Sequence, residues 1–190
     1  HSNELAFRKY ISAIDGGCLR GPSSSSGAIM SALDFDRKDL PILKFKAMLG
    51  KVVEVNDEVK NNLSTDQKYL LRACLAVQQG YTDSDEITSL ENTMPGNLSH
   101  ARWLTKANRT LRLYMSKEVC SSSKLHYKIV RFIVNVYAPS WFNIKSHPSC
   151  ADGAKNFFYL MKNCVMRLEQ KIENYWNLCC RTTTTLPTPK

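Results

Sequence analysis

The residues of this chain whose types and spacing best suit chemistry are basic. From Ala101 to Val134 there are eight Lys or Arg residues and one acid, Glu118, so this window carries +7 of the net charge of +9. Many of these cations recur three or four residues apart, which places them on one face of a helix. Such a field favours polyanions, nucleic acid first, although basic faces are often merely solvated. The candidate nucleic-acid-binding residues are Arg102, Lys106, Arg109, Arg112, Lys124, Lys128 and Arg131.

Other residues that could bind a metal or act in catalysis lack the necessary spacing. His147 and Cys150 could supply two zinc ligands, but no second pair has matching spacing. Asp34 and Asp36 are the nearest approach to the carboxylates with which metal-dependent nucleases hold two divalent ions, and no strand-like apolar run positions them. We therefore predict no catalytic residue, no metal site and no cofactor, and the sequence identifies no small-molecule substrate.

Cysteine usage predicts an intracellular protein, in which a nuclear location would suit nucleic-acid contact. The seven cysteines are odd in number and include no CxxC pair, which favours buried reduced thiols over a disulfide framework. No apolar run approaches the ~20 residues of a membrane span, so we expect no membrane contact.

The segment Pro95–Lys117 should position most of the basic residues. It opens with a Pro-Gly turn, offers Ser99 as a helix N-cap and then contains neither Gly nor Pro. We predict a helix with one basic stripe facing outward and one apolar stripe facing the core. The apolar stripe consists of Trp103, Ala107, Leu111 and Tyr114.

The next predicted helix begins near Ser121, is apolar on nearly all sides and should be central. Pro139 should stop it. Upstream, Ser64 and Gln67 form a capping box for a helix that ends at Gly80. Further helices are predicted over 3–14 and, more weakly, over 83–91, and the alternation of Leu43, Phe45, Ala47 and Leu49 predicts a short strand or an extended strap.

The C-terminal part predicts a long helix from Ser149 to about Leu178. Its apolar residues are spaced alternately four and three positions apart, which is the repeat of a coiled-coil seam. The seam could dock on the chain's own helices or pair with another helix, including a second copy of the chain. Its residues are Met161, Val165, Leu168, Ile172 and Tyr175, followed by Cys179.

Together these elements predict a mainly α fold: a single irregular bundle of six to seven helices with a long C-terminal helix and little or no strand. We expect one helical domain over residues 1–180, a disordered tail over 181–190, and a chain that is a fragment of a longer protein.

Six sequence blocks resemble, in order, a group of uncharacterised invertebrate proteins that derive from DNA transposons. They are NELAFR with IDG, GPSSSSGAI, LSTDQKYL, PGNLSHARWLTKANRTLRLY, VYAPSWFNIK and SCADGAKNFF, and they cover residues 1 to about 158. The resemblance extends distantly to the C-terminal helical part of the ribonuclease-H-like region of hAT-type transposases. It implies that the acidic catalytic residues expected early in such a core would lie upstream of His1. No catalytic residue of that family can therefore be assigned to a position in this chain. Arg102-Trp103 is similar to an Arg-Trp pair of those enzymes, and the resemblance implies a structural role for it.

Two functions remain open from the sequence. The first is a catalytically inert, transposon-derived helical protein whose basic face contacts nucleic acid, with DNA as the expected partner. The second is a helical protein–protein interaction or dimerisation module that uses the C-terminal seam.

Overall fold

The computed structural model describes residues 2–15, 39–50, 53–97, 103–116 and 124–146, and these residues form a helical bundle with no strand among them. The mainly α prediction is confirmed. The elements are α1 (Ser2–Asp15), α2 (Asp57–Asn61), α3 (Thr65–Gln79), α4 (Asp85–Glu91), α5 (Trp103–Ser116), α6 (Lys124–Phe132), a π-helical turn (Ile133–Tyr137) and α7 (Ala138–Ser146).

Helix α5 is the centre of the described bundle. Every residue from Trp103 to Met115 is buried, with α3, α1 and α6 packed around it. Phe7 of α1 meets the Trp103 ring edge-on at 6.0 Å and the Tyr137 ring at 5.4 Å. The predicted apolar stripe of α5 is confirmed, but the helix expected to be most central, α6, has one exposed side.

Helix α3 forms as the sequence predicts. The backbone N–H of Ser64 donates to Gln67 Oε1 at 3.0 Å, which completes the capping box. The helix ends at Gly80, whose φ of 84° and ψ of 177° belong to a region that only glycine adopts without strain.

An extended segment, residues 39–50, crosses the C-terminal ends of α3 and α5, and we call it the strap. Its backbone is held by hydrogen bonds from Leu43 N to Met115 O and from Met48 N to Val77 O. The strand alternative is therefore wrong and the strap alternative is confirmed. The predicted alternation is also wrong, because the buried apolar residues are spaced by three: Ile42, Phe45 and Met48.

Pro139 does not end the helix that contains α6. The π-helical turn before it shifts the backbone bonding from i→i−4 to i→i−5, with Ala138 N–H donating to Ile133 O. Because the wider turn accommodates a residue that lacks an N–H and crowds the preceding turn, the helix continues into α7. Trp141 and Phe142 consequently lie on a helix, where both are buried.

Several predictions lie outside the described residues. They include Arg102, the long C-terminal helix with its seam, the tail over 181–190, the Ser99 N-cap, the helix start near Ser121, and the residues weighed as metal ligands, Asp34, Asp36, His147 and Cys150.

Candidate nucleic-acid interface

Three of the predicted nucleic-acid-binding residues are buried inside the bundle. Lys106, Arg109 and Arg112 on α5 are 2%, 5% and 3% exposed. The prediction that their stripe faces solvent is therefore wrong. The cause is that α5 has neighbours on all sides, so both of its stripes are covered.

Arg112 ties three segments together. Its Nε donates to Leu40 O of the strap at 2.5 Å, and its Nη1 donates to Leu90 O at the end of α4 at 2.6 Å. A third, longer contact of 3.4 Å runs from Nη1 to Thr93 O. Hydrogen bonds from a charged group to buried carbonyls offset much of the cost of burying a guanidinium. Arg112 is thus a structural clamp in the fold.

Arg109 fastens the turn that precedes α5. Its Nε and Nη2 both donate to Gly96 O, at 3.2 and 3.0 Å, while Gly96 N donates to Asp66 Oδ1 of α3 at 3.1 Å. The other carboxylate oxygen of Asp66 accepts from Thr105 Oγ1 at 3.2 Å. A Cβ on Gly96 would lie 2.8 Å from Asp66 Oδ1, so the close approach requires glycine. The Pro-Gly turn and α5 are therefore one interlocked unit.

Lys106 lies over the Trp103 ring, with its Nζ 5.7 Å from the ring centroid. This distance is within the range of a cation–π interaction. The contact gives this cation a role inside the bundle and removes it from the candidate surface.

The other three predicted residues in the described ranges are exposed and lie together on α6. Lys124, Lys128 and Arg131 are separated by four and three residues, so they share one face. The opposite face packs inward through His126, Ile129, Val130 and Phe132, all buried. The amphipathic pattern of α6 thus directs the cations to solvent.

Contacts with α1 fix the orientation of this face. The Tyr10 ring stacks on the Phe132 ring with centroids 3.8 Å apart, and Tyr10 OH donates to Lys128 O at 3.3 Å. Burial raises the pKa of Tyr10 to about 12, and the nearby charge of Arg131 opposes that rise.

The sequence pattern did not single out three further exposed residues as candidates. Lys44 and Lys46 are exposed on the strap, and Tyr127 is exposed on α6. Tyr114 OH donates to Lys46 O at 3.0 Å, and the Tyr114 ring meets the ring of buried His126 edge-on at 6.1 Å, so Tyr114 links the strap to the buried side of α6. The two lysines of the strap are visible in the sequence. The link between the strap and α6 is not, because the two segments are some 80 positions apart. We define the α6 basic face as Lys124, Lys128 and Arg131, and we refer to Lys44 and Lys46 separately as the strap lysines.

The described residues offer few groups suited to catalysis. Cys74 is fully buried, and burial raises the pKa of its thiol, which disfavours the nucleophilic thiolate. No group of three or more His, Cys, Asp or Glu side chains in the described ranges is arranged to hold a metal ion. None of the helices described is both long and apolar enough to cross a membrane.

Comparisons with known proteins gave no matching protein-family model, no matching curated protein and no matching solved structure.

Proposed function

We propose that the protein contacts nucleic acid through the α6 basic face. The observation that carries the proposal is that Lys124, Lys128 and Arg131 lie on one exposed helix face and form no ion pair with any described residue. Unpaired cations in a row release condensed counterions when they meet phosphates, which is the main source of sequence-independent affinity for nucleic acid.

The dimensions of the face agree with a phosphate backbone. Seven residues of helix rise separate Lys124 from Arg131, a length of about 10 Å. This length corresponds to about three phosphates at the spacing along one strand of DNA. With the two exposed strap lysines counted as up to two further contacts, three to five phosphate contacts are expected.

Salt dependence provides the first test. Three to five contacts with duplex DNA predict a slope of about −2.7 to −4.5 in a plot of log affinity against log salt concentration. Affinity should therefore fall about 40- to 500-fold between 50 and 200 mM salt. Fluorescence anisotropy with a labelled duplex and a labelled single strand measures this directly. Binding to both that is insensitive to salt, or absent at low salt, would overturn the proposal.

A matched pair of variants localises the contact. Lys124→Gln with Lys128→Gln should flatten the slope by about 1.8, since two phosphate contacts are lost. Lys60→Gln with Lys68→Gln removes the same charge from exposed residues of α2 and α3 and should leave the slope nearly unchanged. Equal effects of the two pairs would show that overall charge, and not this face, drives binding.

The origin in a transposon and the lack of catalytic activity remain part of the proposal. Their support is the block resemblance in the sequence, which includes the turn and helix now seen as the interlocked centre of the bundle. The sequence upstream of His1 tests the origin, since an in-frame acidic, strand-rich segment there would indicate a piece of a transposase-like enzyme.

A further inference from the structure

Tyr127 stands out within the α6 basic face. It is 44% exposed, and it is the one aromatic residue in the described ranges that is exposed and neither buried nor half-buried. Its neighbours on the helix face are Lys124, three residues before it, and Lys128 and Arg131, one and four residues after it. An aromatic ring therefore lies inside a row of cations that form no ion pair with any residue of the described ranges.

The helix that carries Tyr127 is anchored to its neighbours. Tyr114 of the central helix donates through its hydroxyl to the strap carbonyl of Lys46 at 3.0 Å, and its ring meets the His126 ring at 6.1 Å. Adjacent His126 is buried, with Nε2 3.1 Å from Thr110 O. The backbone of α6 at Tyr127 is thus anchored to the central helix, and the ring is presented on a rigid element.

From this arrangement we infer that the α6 basic face prefers single-stranded nucleic acid, with Tyr127 stacking on an unpaired base while the cations contact the flanking phosphates. Every base has a π-face, so such a ring can stack on any sequence, and rings that alternate with cations are how single strands are commonly held. In a duplex the bases are already stacked on each other and are closed to Tyr127.

The surroundings of α6 also disfavour a duplex. A helix that reads the major groove must enter a groove about 8.5 Å deep. Asn135, on the π-helical turn just beyond α6, donates through Nδ2 both to Arg131 O at 3.0 Å and to Leu49 O of the strap at 3.5 Å, so strap backbone lies close to the C-terminal end of α6. Backbone at this end of the helix obstructs its entry into a groove, whereas a flexible single strand can bend around it.

The inference rests on the proposed function and is tested with three variants of the full chain. Anisotropy titrations use labelled (dT)20, (rU)20 and a 20-base-pair duplex at low salt. Tyr127→Leu keeps an apolar side chain but removes the π-face, and it should weaken binding to the single strands about 5- to 140-fold while changing duplex affinity less than about twofold. Tyr127→Phe keeps the ring and should bind like the unaltered protein.

The outcomes separate the two proposals. If Lys124→Gln with Lys128→Gln weakens binding to every oligonucleotide but Tyr127→Leu weakens none selectively, the stacking inference is overturned and the proposed function stands. If the lysine variants bind as the unaltered protein does, both fail. Because Tyr127 is exposed, its variants should melt at nearly the same temperature as the unaltered chain, so a selective loss cannot be attributed to unfolding.

Discussion

At the scale of single residues, the basic side chains fall into two groups, one buried and one exposed. Arg109 and Arg112 donate hydrogen bonds to backbone carbonyls inside the bundle, whereas Lys128 and Arg131 are exposed to solvent. The distinction depends on what surrounds each side chain and not on its identity. It also separates positions where substitution should damage the fold from positions where it should affect only binding.

Replacing Arg112 should destabilise the protein strongly. Arg112→Met leaves Leu40 O and Leu90 O without their donor in a buried site, at a cost of about 2 to 4 kcal/mol in the free energy of unfolding. Arg131→Met, at an exposed position, should change it by less than about 0.5 kcal/mol. Urea unfolding monitored by circular dichroism measures the free energy of unfolding of both variants. Similar losses of stability in the two would contradict the clamp role of Arg112.

Tyr10 should make stability fall at alkaline pH. Its pKa is about 12 in the folded protein and about 10 when unfolded, so the unfolded chain loses this proton first as the pH rises. The stabilisation is complete below pH 10 and is lost between about pH 10 and 12, with a span of about 2 to 3 kcal/mol.

Tyr10→Phe provides the comparison. The variant loses the hydrogen bond to Lys128 O and should be about 1 kcal/mol less stable at pH 8. Its free energy of unfolding should then decline less steeply from pH 9 to 12, as measured by urea titrations at each pH. Parallel pH profiles for the two proteins would show that Tyr10 does not titrate in this way.

At the scale of elements, the strap and the turn before α5 carry much of the fold without regular secondary structure. The strap supplies buried Phe45 and Met48 and receives Tyr81 N–H at Phe45 O, beside the end of α3. The strap crosses the end of α3 at Gly80, where a Cβ atom would lie 3.1 Å from Ala47 N. Backbone in close contact here leaves no room for a side chain.

Gly80→Ala should therefore be costly. Strain in the positive-φ conformation and the contact with Ala47 together should lower the free energy of unfolding by about 1 to 3 kcal/mol. Gln79→Ala, at the exposed last residue of α3, should lie within about 0.5 kcal/mol of the unaltered protein. If both variants unfold at the same urea concentration, the crossing is looser than the structure indicates.

At the scale of the whole molecule, the predicted seam at Met161–Cys179 raises the question of self-association. If two copies pair through it, sedimentation should give a dimer, and Leu168→Glu with Ile172→Glu should return a monomer because charges do not fit an apolar seam. Gln170→Glu, off the seam, is the control. A monomer for the unaltered chain at high concentration would exclude self-pairing.

The sequence by itself determined the mainly α class, the capped helix α3, helix α1 and the apolar stripe of α5. These follow from short-range rules, namely helical periodicity and capping chemistry, which act within a few residues of chain. It also identified the cations of α6 as candidates, although not Tyr127 or the lysines of the strap.

Only the tertiary structure decided which basic stripe meets solvent and that the helix continues through Pro139. Periodicity establishes which residues share a helix face but not what covers that face, and long basic side chains occur in both environments. For α5 the cover consists of α1, α3, α6 and the strap, segments distant in sequence, so its arginines became clamps. For α6 one face stayed uncovered, and that difference in packing selects the candidate site.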